Sequence, residues 1–213
     1  MSLILNFIIV KECKSSFIAE AIAEYTKKTN GIFEKKLTLP DKYGLLIDQQ
    51  KKNIFIFFTE YGQYDFEDIA KYISKKTQTV CMELGIYEGD SWHYNLYVNG
   101  NLKDNYGTHP TTCLRKGEKP KKYFGNPQIL KDYWPEVNPN KIKKYLINHE
   151  SFLNKRKVNT KAFPDDEFER WDGWNVCDFI KKLSFDYPDV EKQKDSFTYY
   201  YFENDFTHKN IKN

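Results

Sequence analysis

Four carboxylates lie between positions 165 and 169, and they are the densest group of potential metal ligands in the chain: Asp165, Asp166, Glu167 and Glu169. Oxygen ligands of this kind suit a divalent cation. The regular spacing of a calcium-binding loop is absent, however. The simpler interpretation is a solvated loop that also caps a helix predicted over residues 174–183. We therefore predict no metal site.

Histidine and cysteine offer the chemistry of a nucleophile with its base. His93, His109, His149 and His208 stand apart, and none pairs with another histidine or a cysteine at the spacing of a zinc site. A couple of Cys113 with His93 or His109 is geometrically conceivable, but no local motif marks a nucleophile. Motifs for acyl transfer, phosphate binding and dinucleotide binding are also missing. We predict no catalytic residue and no cofactor.

Positive charge is concentrated in the middle of the chain. Residues 103–161 hold 14 Lys and Arg against 5 Asp and Glu, whereas the whole chain has a net charge of +3. Basic side chains interleaved with an aromatic ring could follow a phosphate backbone and stack on bases. The residues of this alternative nucleic-acid site are Arg115, Lys116, Lys119, Lys121, Lys122 and Tyr123. A lysine-rich solvated surface is the simpler interpretation of these residues.

An aromatic and acidic segment follows at residues 163–174. Pro164 and the two aspartates predict a turn-forming loop, and loops on a rigid scaffold often carry recognition. Tryptophan is also enriched among residues that dominate binding energy. We predict a protein-binding surface here, and the alternative is that its tryptophans belong to the core. The predicted binding residues are Phe163, Asp165, Asp166, Glu167, Phe168, Trp171 and Trp174.

The pattern of strands and helices that would position these side chains indicates an α+β fold. LILNFIIV at residues 3–10 and NIFIFFT at residues 53–59 are apolar on both faces, as central strands are. Helical periodicity follows each run, and two strands are predicted between them. This order indicates a ferredoxin-like split βαβ unit with an antiparallel or mixed sheet. A β-meander over residues 79–106, with a type I′ turn at Asn99-Gly100, would extend the sheet at one edge.

The second half of the chain differs from the first in its amino-acid composition. Loops rich in Pro, Gly and Lys alternate with helices predicted over residues 128–134, from residue 139 onwards, and over residues 174–183. A last strand is predicted near residues 196–202. We divide the chain into an α+β sheet domain at 1–108 and a helical, loop-rich half at 109–213. The second part is expected to pack on the first as one continuous unit.

Three patterns in this part of the chain suggest a resemblance. They are WxYxLYxxG at residues 92–100, KxFPDDEF at residues 161–168 and WxxxDFxxxL at residues 174–183. In this combination the sequence resembles a family of uncharacterised bacterial cytosolic proteins. The resemblance covers roughly the C-terminal two-thirds of the chain. It implies one continuous unit and no particular activity.

The composition also bears on whether the protein is secreted or spans a membrane. No apolar run approaches the ~20 residues that span a bilayer, no secretion signal is visible, and the four cysteines are scattered singly. These features predict a soluble cytoplasmic protein without a membrane partner. We expect a non-enzymatic interaction protein that binds a protein partner, with an immunity- or defence-associated role as one version. Nucleic-acid binding through residues 115–157 is the alternative, and an enzyme ranks third.

Overall fold

Strands and helices alternate through the first half of the chain in the computed structural model, which describes residues 4–59, 66–111, 117–149 and 161–204. The strands are β1 (Ile4–Val10), β2 (Ile32–Lys36), β3 (Gly44–Gln50), β4 (Asn53–Phe58), β5 (Val80–Tyr87), β6 (Ser91–Val98), β7 (Asn101–Gly107) and β8 (Phe197–Glu203). The helices are α1 (Ser15–Lys28), α2 (Phe66–Thr77), α3 (Pro127–Tyr133), α4 (Pro139–Ile142) and α5 (Asn175–Lys181). The α+β prediction is confirmed.

The eight strands form one sheet in the order β2-β8-β3-β4-β1-β5-β6-β7. β1 pairs with β4, β4 with β3, β3 with β8 and β8 with β2, each time antiparallel. The two strands that are apolar on both faces, β1 and β4, occupy the middle of the sheet, as predicted. The meander β5-β6-β7 extends the sheet to one edge, which was also predicted.

The C-terminal strand occupies a place that the order of elements along the sequence did not predict. β8 inserts between β2 and β3, so these sequence neighbours do not pair with each other. Its register places Tyr200 opposite Leu45 on one side and Lys35 on the other. A strand predicted as the end of the helical half is therefore an internal strand of the sheet.

Hairpin geometry in the meander follows from two residues. Asn99 and Gly100 have φ angles of 51° and 78°, the pair of positive values that a type I′ turn requires, so the predicted turn is confirmed. Gly100 also lies close to α2. A Cβ at this position would come within 2.7 Å of the Cβ of Lys75, so the turn has no room for a side chain.

The chain forms two compact units, and each of them combines segments that are far apart in the sequence. One consists mainly of Leu5–Glu83, Tyr97–Asn101 and the chain from Pro188 onwards. The other consists mainly of Leu84–Leu96 and Leu102–Tyr187. The boundary predicted from the sequence lies at residue 108 instead. That division, in which the second part packs on the first as one continuous unit, stays a prediction.

Each unit has its own packing. In the first, α1 and α2 contact each other and bury aliphatic side chains with one face of the sheet; among these are Ile8, Val10, Ile18, Ile22, Ile54, Ile56, Ile69 and Ile73. The second unit is built on aromatic rings. Trp92 lies with its ring centroid 4.7 Å from that of Tyr106 and 5.0 Å from that of Phe179, and all three are almost fully buried. Trp92 and Trp134 therefore belong to the core.

Candidate functional site

The segment of residues 163–174 is held by a buried carboxylate on the helix that follows it. Asp178, in the first turn of α5, is 1% exposed. Its Oδ2 accepts the backbone N–H groups of Glu167 at 3.0 Å and Phe168 at 2.9 Å. Its Oδ1 accepts a hydrogen bond from Lys181 Nζ at 3.2 Å. The Asp178 carboxylate therefore fixes the backbone of this segment.

A second buried carboxylate fixes the beginning of the segment. Asp166 is 4% exposed, and it accepts the Tyr145 hydroxyl at 2.7 Å and the Phe163 N–H at 2.9 Å. Lys182 Nζ lies 3.4 Å from the same Oδ1 that binds Tyr145. Burial and the neighbouring carboxylate raise the pKa of Tyr145 well above its ordinary value, so the phenol stays a hydrogen-bond donor. Asp166 is thus an internal anchor rather than part of an exposed acidic rim.

The remaining carboxylates of the predicted site face water. Asp165, Glu167 and Glu169 are exposed. Two long ion pairs involve them, with Lys181 Nζ 3.7 Å from Glu167 and Lys182 Nζ 4.0 Å from Asp165, and exposed pairs of this kind contribute little to stability. Within the described residues, no three His, Cys, Asp or Glu side chains come together as metal ligands would.

Aromatic rings from the segment and from the chain after α5 lie together at the surface. Phe168 stacks near Trp174 with centroids 6.2 Å apart, and Tyr187 meets Trp174 edge-on at 5.6 Å. All three residues remain partly exposed. We call Phe168, Trp174 and Tyr187, together with the exposed Glu167 and Glu169, the Trp174 surface. Tyr187 was not among the predicted binding residues, because nothing near it in the sequence marks it.

A glycine brings this segment against the turn between β5 and β6. The N–H of Gly173 donates to the carbonyl oxygen of Gly89 at 2.9 Å. A Cβ on Gly173 would lie 2.7 Å from Cγ2 of Ile86, closer than real Cβ atoms approach other atoms. Only glycine permits this approach, which sets the start of α5 beside the β5–β6 turn.

Trp171 packs against a pair of histidines and is not part of the Trp174 surface. Its ring centroid is 4.2 Å from that of His149, and His149 meets His109 edge to face at 3.9 Å. The N–H of His149 donates to the carbonyl oxygen of Thr108 at 2.8 Å, which fixes the backbone of this cluster. The structure therefore brings together three residues that are 22 to 62 positions apart and share no motif.

His149 is neutral in this cluster. Burial lowers its pKa to about 4, His109 acts in the same direction, and Asp90 opposes both. Its Nε2 atom is buried and has no hydrogen-bond partner. The ring of His149 packs edge to face against His109 and also contacts Trp171, so two histidines that were considered separately in the sequence lie together beside the segment.

Cysteine chemistry is suppressed wherever the structure describes a cysteine. Cys13, Cys81 and Cys177 are free thiols and are buried. Burial raises the pKa of Cys177 to about 12, with Asp178 contributing, and burial also raises the pKa values of Cys13 and Cys81. A protonated thiol is a poor nucleophile. Cys113, which the sequence analysis considered beside His93 or His109 without predicting a catalytic couple, lies outside the described residues.

The basic segment is described only in part, since Arg115 and Lys116 lie outside the described residues. Lys119, Lys121 and Lys122 are exposed, and Lys122 is paired with Glu118. Tyr123 is 8% exposed, and its hydroxyl donates to Glu118 Oε2 at 2.5 Å. A ring buried in this way is unable to stack on a base, so Tyr123 does not supply the aromatic component of the predicted nucleic-acid site, whereas its neighbour Phe124 is exposed.

Comparison with protein-family models, with curated proteins and with solved structures finds no match for this chain. The resemblance described above therefore remains an expectation. In the part of the chain that the structure describes, every helix falls short of the length and apolarity needed to cross a bilayer.

Proposed function

We propose that this chain is a protein-binding module and that the Trp174 surface is where its partner docks. The observation that carries the proposal is a group of partly exposed aromatic rings on a backbone fixed by buried hydrogen bonds. Phe168, whose ring stacks near that of Trp174, has its N–H bound by the buried Asp178 carboxylate. A surface ordered before binding loses little conformational entropy when a partner docks, which favours affinity.

The chemistry of the surface indicates the chemistry of the partner. Trp174 and Tyr187 present large rings with polar edges, the side chains most often found at the centre of protein interfaces. Glu167 and Glu169 flank Phe168 in the sequence and are exposed. Exposed carboxylates at the rim favour a partner that has Lys or Arg side chains around an apolar anchor. Complementary charge of this kind mainly increases the rate of association.

We propose that the part from β1 to β5 is a split βαβ unit of the ferredoxin-like kind; the order β3-β4-β1-β5 and the contact between α1 and α2 support it. We also propose that the protein acts in the cytoplasm. Free, buried thiols at Cys13, Cys81 and Cys177 are what a reducing compartment favours.

Capture from native extract tests the docking surface. The immobilised chain is compared with Trp174→Ala, with the double variant Glu167→Lys/Glu169→Lys, and with Tyr87→Ala as control. Tyr87 is an aromatic residue in the same unit, 54% exposed, and it lies outside the Trp174 surface. The double variant removes no ring, so it tests the surface independently of any packing lost with Trp174.

The captured protein is then purified, and its affinity for each variant is measured by calorimetry. We expect Trp174→Ala to weaken binding by at least about tenfold, the effect of losing roughly 1.4 kcal/mol at a central aromatic residue. The charge-reversed variant should weaken binding more at low salt than at high salt. Equal capture by all four proteins, or no protein captured by the unmodified chain, would exclude this surface.

A further inference from the structure

In the part of the chain that the structure describes, the edge of the sheet at β2 has no neighbouring strand. β2 is the last strand on its side, and it pairs with β8 alone. Four of its five residues are exposed, and Phe33 is partly buried. Such an edge presents backbone N–H and C=O groups on which a further strand can form hydrogen bonds.

One hydrogen bond of the neighbouring strand shows which backbone groups of β2 point outward. The N–H of Phe202 donates to the carbonyl oxygen of Tyr43, directly before β3, at 2.7 Å, so the backbone groups of Phe202 point towards β3. The backbone groups of the adjacent Tyr201 therefore point towards β2, where Glu34 lies opposite and points back. Residues on either side of Glu34 alternate with it, so their N–H and C=O groups point to the open edge. These outward-pointing residues are Phe33 and Lys35.

The side chains along this edge already make contacts within the chain. Phe33 stacks on Tyr200 of β8 with ring centroids 4.5 Å apart. Lys36 Nζ lies 2.7 Å from Glu34 Oε2 and 5.8 Å from the ring centroid of Tyr201. An edge that is ordered before pairing loses little conformational entropy when a further strand binds.

Charge restricts how two copies of β2 could pair with each other. In an antiparallel pair of identical strands, outward-pointing groups must face outward-pointing groups, so the two-fold axis passes beside one of residues 33–36. An axis at Glu34 or Lys36 sets two like charges opposite each other in the closely spaced kind of pair, which is unfavourable. An axis at Phe33 places Glu34 opposite the apolar Ile32 and leaves its charge without a counter-charge.

An axis at Lys35 gives a complementary arrangement. It places Glu34 opposite Lys36 of the other copy, and the symmetry repeats this pair on the other side of the axis. It also places Phe33 opposite Leu37, which directly follows β2 and is 98% exposed. The two Lys35 residues face each other in the widely spaced kind of pair, where long side chains can diverge into water.

We propose that two copies of this chain associate through antiparallel pairing of their β2 strands, with the two-fold axis at Lys35. The two sheets then continue into each other across the axis. Lysines on a strand edge discourage pairing with unrelated strands, and here a second copy supplies the carboxylates that neutralise Lys36. The contact uses no residue of the Trp174 surface, so it does not depend on the docking proposal.

Sedimentation equilibrium and amide hydrogen exchange of the full chain test the pairing. A single short ladder is a small interface, so we expect a weak dimer with a dissociation constant of about 0.1 mM. Measurements from about 10 μM to about 1 mM cover this value on both sides. Exchange at the amides of Phe33 and Lys35 should slow as the concentration rises, because these are the donors that the second copy binds.

Two charge variants test the register. Glu34→Lys and Lys36→Glu each set like charges across the axis, and at low salt each should weaken self-association at least about tenfold. An equimolar mixture of the two variants restores opposite charges at both pairs, so mixed dimers should form about as tightly as the unmodified dimer. Mixing leaves the pair of Glu34 with Lys36 inside each chain broken, so the rescue reports only on the contact between chains.

The matched control is Lys71→Glu, which makes the same change of charge at an exposed position of α2 in the same unit. It should leave the dissociation constant within about twofold, because a single exposed charge outside the contact has little effect. The proposal is overturned if the chain stays monomeric up to about 1 mM. It is also overturned if a dimer forms without protecting Phe33 and Lys35, or if mixing the two variants restores no association.

Discussion

Replacing Asp178 with Ala should destabilise the protein through the loss of a single acceptor. The Asp178 carboxylate is 1% exposed and binds the backbone N–H groups of Glu167 and Phe168 through one oxygen. Alanine leaves both donors without a partner, since methyl hydrogens accept nothing. Asp178→Asn keeps an acceptor oxygen but removes the negative charge that strengthens both bonds.

The size of the effect follows from these contacts. A buried donor left unsatisfied costs about 1–3 kcal/mol, and both N–H groups are only partly buried, so we take the lower half of that range for each. The ion pair of Asp178 with Lys181 adds little, because the lysine is 42% exposed. Asp178→Ala should therefore lower the free energy of unfolding by about 2–4 kcal/mol, and Asp178→Asn by about half of that.

Urea denaturation and amide hydrogen exchange together provide the assay. The urea midpoint should fall at an unchanged slope, and protection should be lost at the amides of Glu167 and Phe168. Asp165→Asn is the matched control, because its side chain is 80% exposed and lies in the same segment. The control should change stability by less than about 0.5 kcal/mol. If Asp178→Ala behaves like the control, the hydrogen bonds of Asp178 do not hold the segment, and the reasoning fails.

Three further predictions concern other parts of the fold. Gly100→Val should lower the free energy of unfolding by about 1–3 kcal/mol, because it forces a branched residue to positive φ against Lys75; an unchanged denaturation midpoint would contradict this. His149 takes up a proton at its ordinary pKa of 6.5 when unfolded but only near 4 when folded, so stability should fall as pH falls from 6.5 towards 4. The loss should be about 1–2 kcal/mol after allowing for partial exposure, and it should disappear in His149→Gln. Tyr94→Phe should cost about 1–2 kcal/mol in thermal unfolding, since it removes a 2.6 Å hydrogen bond to Asp104; an unshifted transition would show that this bond contributes nothing.

Local sequence determined the parts of the fold that depend on neighbouring residues. The runs apolar on both faces became β1 and β4, because only strands covered on both sides bury every side chain. Asn99-Gly100 formed its turn because few residue pairs tolerate two positive φ angles. Asn126 and Asn138 cap the helices that begin at Pro127 and Pro139, because each side chain accepts hydrogen bonds from backbone N–H groups two or three residues further on. These features are predictable from a window of a few residues.

The position of β8 depended on the whole chain. Residues 197–203 have the pattern of a strand, but a pattern does not specify which strands will be its neighbours. Pairing with both β2 and β3 requires contacts across about 150 to 170 residues of sequence, and an antiparallel ladder with any other strand would satisfy the backbone groups of β8 equally well. The competition between such pairings is settled only when the complete sheet is assembled.

The candidate sites were predictable only in composition. The sequence indicated that residues 163–174 combine aromatic rings with carboxylates, and an aspartate in a polar stretch reads as solvated wherever it stands. Tertiary packing decided that Asp166 and Asp178 are buried anchors while Asp165 is exposed, because burial depends on what Tyr145 and α5 bring against the segment. The same packing buried the Nε atom of Arg170 without a hydrogen-bond partner, which no spacing along the chain could have indicated.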